Sequence, residues 1–474
     1  KTLHRLKRMK FIIEIFLFII LFSTHLCFCE SLKKISCVLH IHSEFSGNNY
    51  PVSQIVEIAK QNKIDCVVLN DHFLKKVEFG LWPVRQIIKK TVSLPSVMSL
   101  GFDKYIYKIN YYNNIQKEVL ILPGVEVTPH YFFSIKENSL IINNLHKHIL
   151  IIGLDENKKD IYVKMPIIGN EINIRKINII SFWPILGILL SIILKSKILF
   201  CVFFIALLNN FPFLEKKYNQ YKNFGELPYQ NLIHYINDSG TDFITIWAHP
   251  EATNYEEKKF LKKIKNLKIF TQTKPYYDSL INTFDYDGFS IFAEGFRKVG
   301  VPKGIWDRIL LDYCEGKRKK PIWCYAEIDF GETDTLIYLR KNILFVKEKE
   351  PKSVFSSLKN GNFYTVWRDT TSELIISDFK IDNQLIIFGN RYEFEKNILN
   401  FEFNISFLND EKKNIKVLVI RDGEIIRKFE DIVTPQKITF SDEVPKKLSY
   451  YRIWVESNYP HMLATNPIFI NSKK

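Results

Sequence analysis

The sequence predicts an α/β barrel followed by an all-β sandwich, and three observations predict it. Metal-ligand residue types follow or precede short apolar runs all the way from His40 to Asp329, and ligands at strand ends are how barrels build metal sites. Over the same stretch, apolar runs alternate with segments of helical spacing. From about Glu373 the pattern changes to short alternating strands joined by turn residues. At 474 residues and 46% hydrophobic content the chain is long and apolar enough to bury a sizeable core, which excludes disorder for most of it.

Five basic residues in the first ten positions precede an apolar stretch, Ile15 to Phe28, and a polar break at Glu30-Ser31. Residues 1–30 therefore read as an export signal or an N-terminal anchor, and the protein is expected to be exported. Cleavage after Cys27-Phe28-Cys29 fits the small outer residues. Leu26 and Cys29 have lipoprotein-like spacing, which the bulk of Phe28 opposes.

The strand through Cys37 is followed by helical spacing over Val52 to Asn62 and by a strand over Asp65 to Leu69, one βαβ unit. Residues 79–118 form an insertion without a readable place, a lid, a membrane-facing flap or surface packing. Later units are a helix over Gln230 to Asn237 before the His249 strand, one over Trp306 to Cys314 before the Asp329 strand, and one over Ser353 to Asn360 before a strand over Asn362 to Val366.

Two uncharged runs, Ile177 to Leu194 and Ile198 to Leu214, are parted only by Lys195-Ser196-Lys197. Each approaches the ~20 residues needed to cross a bilayer, so residues 177–214 are expected to be a transmembrane or membrane hairpin inserted in the barrel. The positive-inside rule then turns Lys195 and Lys197 to the cytoplasm and leaves the barrel outside, close to the membrane surface, as the leader requires.

Residues 373–474 hold about seven short strands, with Arg421-Asp422-Gly423-Glu424 as a hairpin turn, and predict an antiparallel, immunoglobulin-like sandwich. It carries no clustered ligands, so its part is packing, protein contact or carbohydrate contact. Seven cysteines are too few for a disulfide framework, and none forms a CxxC pair. Cys37, Cys66 and Cys324 sit in apolar runs as small hydrophobes. The net charge of +15, from 66 basic and 51 acidic residues, is spread along the chain and forms no basic helix or aromatic-interleaved patch, so no nucleic-acid partner is evident.

The candidate ligands are His40 and His42, His72 in Asp71-His72, Glu126 after Pro123-Gly124-Val125, His148, His249 in His249-Pro250, and Asp329. Imidazoles with carboxylates suit zinc, iron or manganese. A lone buried histidine is more often a hydrogen-bonded core residue than a ligand; the ordered set is what points to a metal centre.

This series resembles the polymerase and histidinol phosphatase (PHP) domain, whose motifs are HxH, DH, an acidic residue after a PG turn, H, HP and a late D-x-H. The resemblance covers roughly residues 35–367 of a region taken as 34–372. It implies a distorted (β/α)7 barrel with two or three metal ions and hydrolysis of a phosphate ester. Carried over by position, His40, His42, Glu126 and Asp329 would hold one ion and Glu126, His148 and His249 a second, with Glu126 bridging. Of the three histidines expected at a third site only His72 is present. Residues 43–48 lack histidine and Asp329-Phe330-Gly331 ends in glycine, so two divalent ions (Zn, Mn or Fe) are expected unless Glu44 or Glu332 substitutes.

Two adjacent ions polarise a phosphoryl oxygen and lower the pKa of a bound water to about 7. Asp71 is the candidate to orient that water or take its proton, with helix or turn capping as its alternative. Arg297, Lys303 and Arg318 are the candidate phosphate-binding residues, and residues 272–300 are expected to help shape the pocket. Two classes of function follow: a membrane-attached phosphoesterase outside the cytoplasm acting on a phosphorylated substrate, or a degenerate barrel serving as a metal- or ligand-binding scaffold or receptor. The metal pair does not encode the leaving group, so C–N or C–O hydrolysis stays open beside phosphate chemistry.

Overall fold

The computed structural model describes residues 32–81, 84–85, 87–137, 139–153, 159–169, 179–211, 218–240, 242–257, 268–292, 294–331 and 336–473. The expected leader, Trp82 and Glu332 lie outside them. Seven strands form the barrel: β1 Lys33–Ile41, β2 Cys66–His72, β3 Leu120–Val127, β4 Ile149–Ile152, β5 Ile244–Trp247, β6 Gly288–Phe292 and β7 Trp323–Ala326. They lie side by side in chain order. The ring is closed beyond β7, where Ile328 N–H donates to Leu39 O (3.1 Å) and His42 N–H to Phe330 O (2.9 Å).

One strand departs from the expected all-parallel layout. β4 pairs antiparallel with both β3 and β5, while the other neighbours run parallel. A reversed strand turns its N-terminal end to the mouth where the others turn their C-terminal ends. That is why His148 precedes its strand while His72, Glu126 and His249 end or follow theirs.

The helices come from the amphipathic segments. In Val52–Gln61 the buried positions are Val52, Ile55, Val56 and Ala59, the i, i+3, i+4, i+7 stripe of a core-facing helix. The other expected helices run Leu227–Asn237, Ile305–Cys314 and Pro351–Asn360, the last ending on Gly361 in the left-handed conformation. The insertion at 79–118 resolves into a β-ribbon, Lys76–Gly80 with Lys89–Ser93, and a helix, Phe102–Ile115, that covers β3 through Tyr105 Oη donating to Gly124 O. A small sheet of Phe132–Lys136, Ser139–Asn143, Lys268–Thr273 and Asn254–Glu257 flanks the mouth.

The chain between Ile179 and Phe211 corrects the membrane-spanning expectation. It forms a 3-10 turn, Ile179–Phe182, and two helices, Trp183–Ile193 and Lys197–Asn210, of 11 and 14 residues. At ~1.5 Å per residue neither covers the ~30 Å of hydrocarbon in a bilayer. Among the described residues no helix is long and apolar enough to cross a membrane.

After the barrel, β8 (Arg340–Val346) pairs antiparallel with β1, β9 (Phe363–Trp367) with β8, and Met462–Thr465 with β9. The barrel sheet thus runs on into the C-terminal region. A four-stranded sheet built on Leu374–Ile381, Ile398–Phe407 and Gln436–Glu443 faces that extension across a second apolar cluster including Phe401, Phe403, Val417 and Ile453. The Asp422-Gly423 turn has both residues at positive φ, 51° and 83°, as a tight hairpin requires.

Candidate metal centre

Five imidazoles converge on one carboxylate. Glu126 Oε1 faces His40 Nε2 (3.0 Å), His249 Nε2 (3.6 Å) and, closest, His148 Nδ1. Its Oε2 faces His72 Nε2 (3.2 Å) and His42 Nε2 (3.8 Å). Asp329 Oδ1 stands 3.2 Å from His42 Nε2 and 3.7 Å from His40 Nε2. All seven candidate ligands are thereby brought together, and His72 enters as fully as the rest. Three overlapping groups of donors can each enclose a cation: His40, His42 and Asp329; His40, Glu126 and His249; His42, His72 and Glu126.

The far sides of four of the rings are fixed by partners, which assign their tautomers. His40 Nδ1 bonds Glu327 Oε2 (2.8 Å) and His42 Nδ1 bonds Ser46 Oγ (3.1 Å). His249 Nδ1 bonds Tyr276 Oη (3.0 Å), whose own proton goes to Ala248 O (2.6 Å). His148 Nε2 donates to Leu145 O (2.8 Å). In the neutral ring each arrangement leaves the inward nitrogen with a lone pair aimed at the centre. His40 Nε2 and His148 Nδ1 are buried and make no well-formed hydrogen bond. A divalent ion fits such a donor set.

Backbone strain marks the same positions. His40, His249 and Asp329 all adopt positive φ, 65°, 25° and 56°. Each costs on the order of 1–3 kcal/mol unless its surroundings hold it. The buried side chains Asn70 and Glu327 hold two of them: Asn70 Oδ1 accepts the His40 N–H (3.0 Å) and Glu327 Oε1 accepts the His249 N–H (2.7 Å). Glu327 therefore braces one ligand by its ring and another by its backbone. Asn70 and Glu327 adjoin the DH and late-Asp motifs, and their role was not visible because it is a matter of convergence rather than spacing.

Burial alone would raise the Glu126 carboxyl, but the His148 and His40 imidazoles hold it well below the usual carboxylate range. Asp71 behaves otherwise. It is fully buried behind His42, accepts from Ser43 N–H (2.7 Å), Ser43 Oγ (2.7 Å) and Ser46 Oγ (2.6 Å), and burial raises its pKa. Its reach to the centre runs through Ser46 to His42, a bracing position rather than contact with a reacting water. Glu44 is likewise turned away, paired with Lys108 and accepting the Val52 N–H that opens the Val52–Gln61 helix.

The centre opens into a cleft of about 640 Å³ lined by His72, Glu126, His146, His148, His249, Glu256, Glu294 and Asp329 among others, with no lysine or arginine among its described lining residues. The three expected phosphate-binding residues stand elsewhere. Arg318 is buried and caps the Ser279–Asn282 turn through the carbonyls of Leu280, Ile281 and Thr283. Lys303 pairs with Glu424 of the C-terminal region (2.6 Å), and the Arg297 guanidinium lies over Phe296. Two residues of the 272–300 segment do reach the centre, Tyr276 and Glu294. Glu294 sits at the rim, where partial burial raises its pKa despite the nearby His249.

The missing late histidine has a steric counterpart. A Cβ built on Gly331, at φ 107°, would stand 2.1 Å from Asn48 Nδ2. Asn48, from the segment that also lacks its histidine, occupies the room a side chain at 331 would need.

No family model matches the chain, and no curated protein matches it. Among solved structures it is similar to a two-domain protein from Bacteroides vulgatus containing a predicted PHP-like metal-dependent phosphoesterase, at 12% identity over 89% of this chain and 90% of that one, with a TM-score of 0.35. A predicted metal-dependent phosphoesterase from Bifidobacterium adolescentis aligns at 12% identity over 68% of this chain and 95% of that one, with a TM-score of 0.29. With scores this low, the chemistry must be read from the side chains themselves.

Proposed function

We propose that the protein is a metal-dependent phosphoesterase holding two divalent ions, zinc, manganese or iron, bridged by Glu126. The observation that carries the reading is the convergence of five imidazoles and Asp329 on Glu126 in a cleft whose described lining has no cationic side chain. Bound metal would bring positive charge to a phosphate dianion there. His40, His42 and Asp329 would hold one ion, His148 and His249 the other, and His72 would stand beside the bridge.

Bound there, the ions would supply the positive charge and an acidified water. The protein's part is to hold the outer nitrogens of four imidazoles, through Glu327, Ser46, Tyr276 and Leu145, so that the inner nitrogens face the ions. Glu294, at the cleft rim with a raised pKa, is suited to hand a proton to the leaving oxygen. The lack of histidine in residues 43–48 and at Gly331 supports two ions over three. The same lack favours the second reading, a barrel that binds metal or ligand without turnover.

The location we propose is outside the cytoplasm, against a membrane. The basic leader before an apolar stretch supports export, and the apolar hairpin supports lipid contact.

The test is metal content and hydrolysis of aryl phosphate mono- and diesters by the full chain and by Glu126→Gln under zinc, manganese or iron. Two ions with activity lost in the variant is the expected result. Absence of metal under all three conditions would overturn the ligand assignment, and metal without turnover on either ester class would favour the binding reading.

A further inference from the structure

Among the described residues, the hairpin Ile179–Phe211 is a large exposed apolar feature. Leu186, Ile193 and Ile198 are 71%, 75% and 78% exposed, and Trp183 is 53% exposed. The second helix has no buried residue. Its exposed apolar side chains at 198, 200, 202, 204 and 205 fall on two opposite sides of the axis at about 100° per residue, and the face between them, with Phe203, lies against the first helix. A protein groove accepts one face of a helix; a liquid hydrocarbon accepts all of them.

The two helices are packed as a finished unit. Gly187 lies so close beneath Phe203 that a Cβ would stand 2.3 Å from its ring, and Asn210 Nδ2 donates to Ser181 O (2.8 Å) across the base. Between residues 179 and 211 the only charges are Lys195 and Lys197, both at the connecting turn, and there is no carboxylate. This pattern matches an anionic lipid surface in charge as well as polarity.

We propose that this hairpin is a one-leaflet membrane anchor, submerged along the plane of a lipid surface containing anionic headgroups. This rests on the location proposed above and adds how the contact is made. Both helices are too short to cross. Pushing the hairpin in turn-first would carry Lys195 and Lys197 toward the bilayer centre, which costs roughly 2.5–3.5 kcal/mol per cation by insertion scales. Lying flat, helices of about 10–12 Å diameter bury their apolar sides while both ammonium groups snorkel to the headgroups. The described chain on either side of the hairpin is tied to the loop and small sheet that flank the mouth, Ile168 N–H donating to Pro129 O (3.0 Å) and Phe133 N–H to Gln220 O (2.8 Å), so the mouth would be kept near the same surface.

The experiment uses the full chain with vesicles of phosphatidylcholine, with and without phosphatidylglycerol. Trp183 fluorescence is read against lipids brominated on the acyl chain, with Trp183→Phe marking its share of the signal. Expected are quenching of Trp183, its loss in a Leu186→Glu, Ile193→Glu, Ile198→Glu variant, and roughly tenfold weaker binding of Lys195→Glu, Lys197→Glu to the anionic vesicles alone. An unquenched Trp183, or equal quenching in the triple variant, overturns the anchor. So does a lipid-free dimer that the triple variant breaks, which would make a second copy the occupant. Hydrolysis of a soluble aryl phosphate in the same samples should be unchanged in both hairpin variants. If wild type shows no hydrolysis, the metal-centre reading fails while the lipid result stands.

Discussion

Two buried clusters of charge, about the barrel's two partners, behave in opposite ways. At the seam between barrel and C-terminal region, Asp307 receives Arg452 through two bonds of 2.7 and 2.8 Å, Tyr450 Oη at 2.9 Å and the Lys303 N–H at 2.7 Å. Its carboxylate is fully used by donors of this chain. At the mouth, Glu126 is one carboxylate among five imidazoles, and buried nitrogens such as His40 Nε2 are left without a well-formed bond. At the seam the protein's own donors meet the carboxylate, with only Arg452 Nη1 left buried without a partner; at the mouth, the proposed metal centre, imidazole nitrogens are left facing one another. Burial of charge would thus serve architecture in one place and ligand capture in the other.

The strongest way to break the contrast is at its centre. Glu126→Gln should abolish bridged metal binding and lower hydrolysis by at least about 10³-fold, well beyond the 10–100-fold cost typical of removing a supporting partner. A variant that retained both ions would show that Glu126 does not bridge them. At the seam, Asp307→Ala leaves a fully buried guanidinium unpaired and should destabilise the fold by about 3–5 kcal/mol with metal stoichiometry unchanged. Denaturant unfolding measured beside metal analysis separates the two outcomes. Loss of metal without loss of stability would mean that the clusters are coupled.

Glu327 sharpens the comparison because it belongs to the mouth yet is satisfied like the seam. Glu327→Gln keeps a carbonyl oxygen for one of its two duties but cannot serve both the His40 ring and the His249 backbone as an anion. Metal affinity should fall about 10–100-fold, with folding retained. Direct titration of the chelated protein checks this, and unchanged affinity would reduce Glu327 to a strut.

A pH effect should appear only at the mouth and only without metal. Burial draws the His249 imidazole down, but Glu126 and neighbouring carboxylates outweigh it and push the pKa up to about 9. A folded pKa above the unfolded value of about 6.5 gives stability that is whole below pH ~6.5 and is lost as pH rises through about 9. The Tm of chelated protein should therefore fall across that window. Metal uptake in the same window should release protons, because the ligand nitrogen must be neutral. A flat Tm from chelated protein, or uptake without proton release, would contradict the assignment.

How much of this was legible depended on whether a residue's role follows from its neighbours in sequence. Apolar runs ending in His72, Glu126 or His249 placed themselves on strands, and the stripe Val52, Ile55, Val56, Ala59 gave its helix. Reversal of β4 was not legible, since a four-residue apolar run reads alike in both directions. The charged candidates failed for a related reason. Arg297, Lys303 and Arg318 precede the Asp329 strand in sequence, but a long flexible side chain goes to whichever carbonyl, ring or carboxylate lies nearest in space. Glu327 and Asn70 have the converse history: buried polar residues flanking the motifs, with partners hundreds of residues or a whole strand away. The hairpin shows composition outrunning length, for its runs of 18 and 17 uncharged residues yield helices of only 11 and 14.

The smallest expected effect concerns the bond that joins the two regions on the outside. Lys303 and Glu424 are about two-thirds exposed, and an ion pair between such side chains contributes at most about 1 kcal/mol in water. Lys303→Ala should therefore change stability by less than that and leave KM for aryl phosphate within about twofold, because the ammonium faces Glu424 and not the cleft. Salt should erase what difference there is, since screening acts fully on exposed charges. A tenfold rise in KM with kcat unchanged would instead place Lys303 against bound phosphate, and the cleft would then have a cation of its own. Bound metal would then not be the cleft's sole source of positive charge, and the contrast between seam and mouth would weaken.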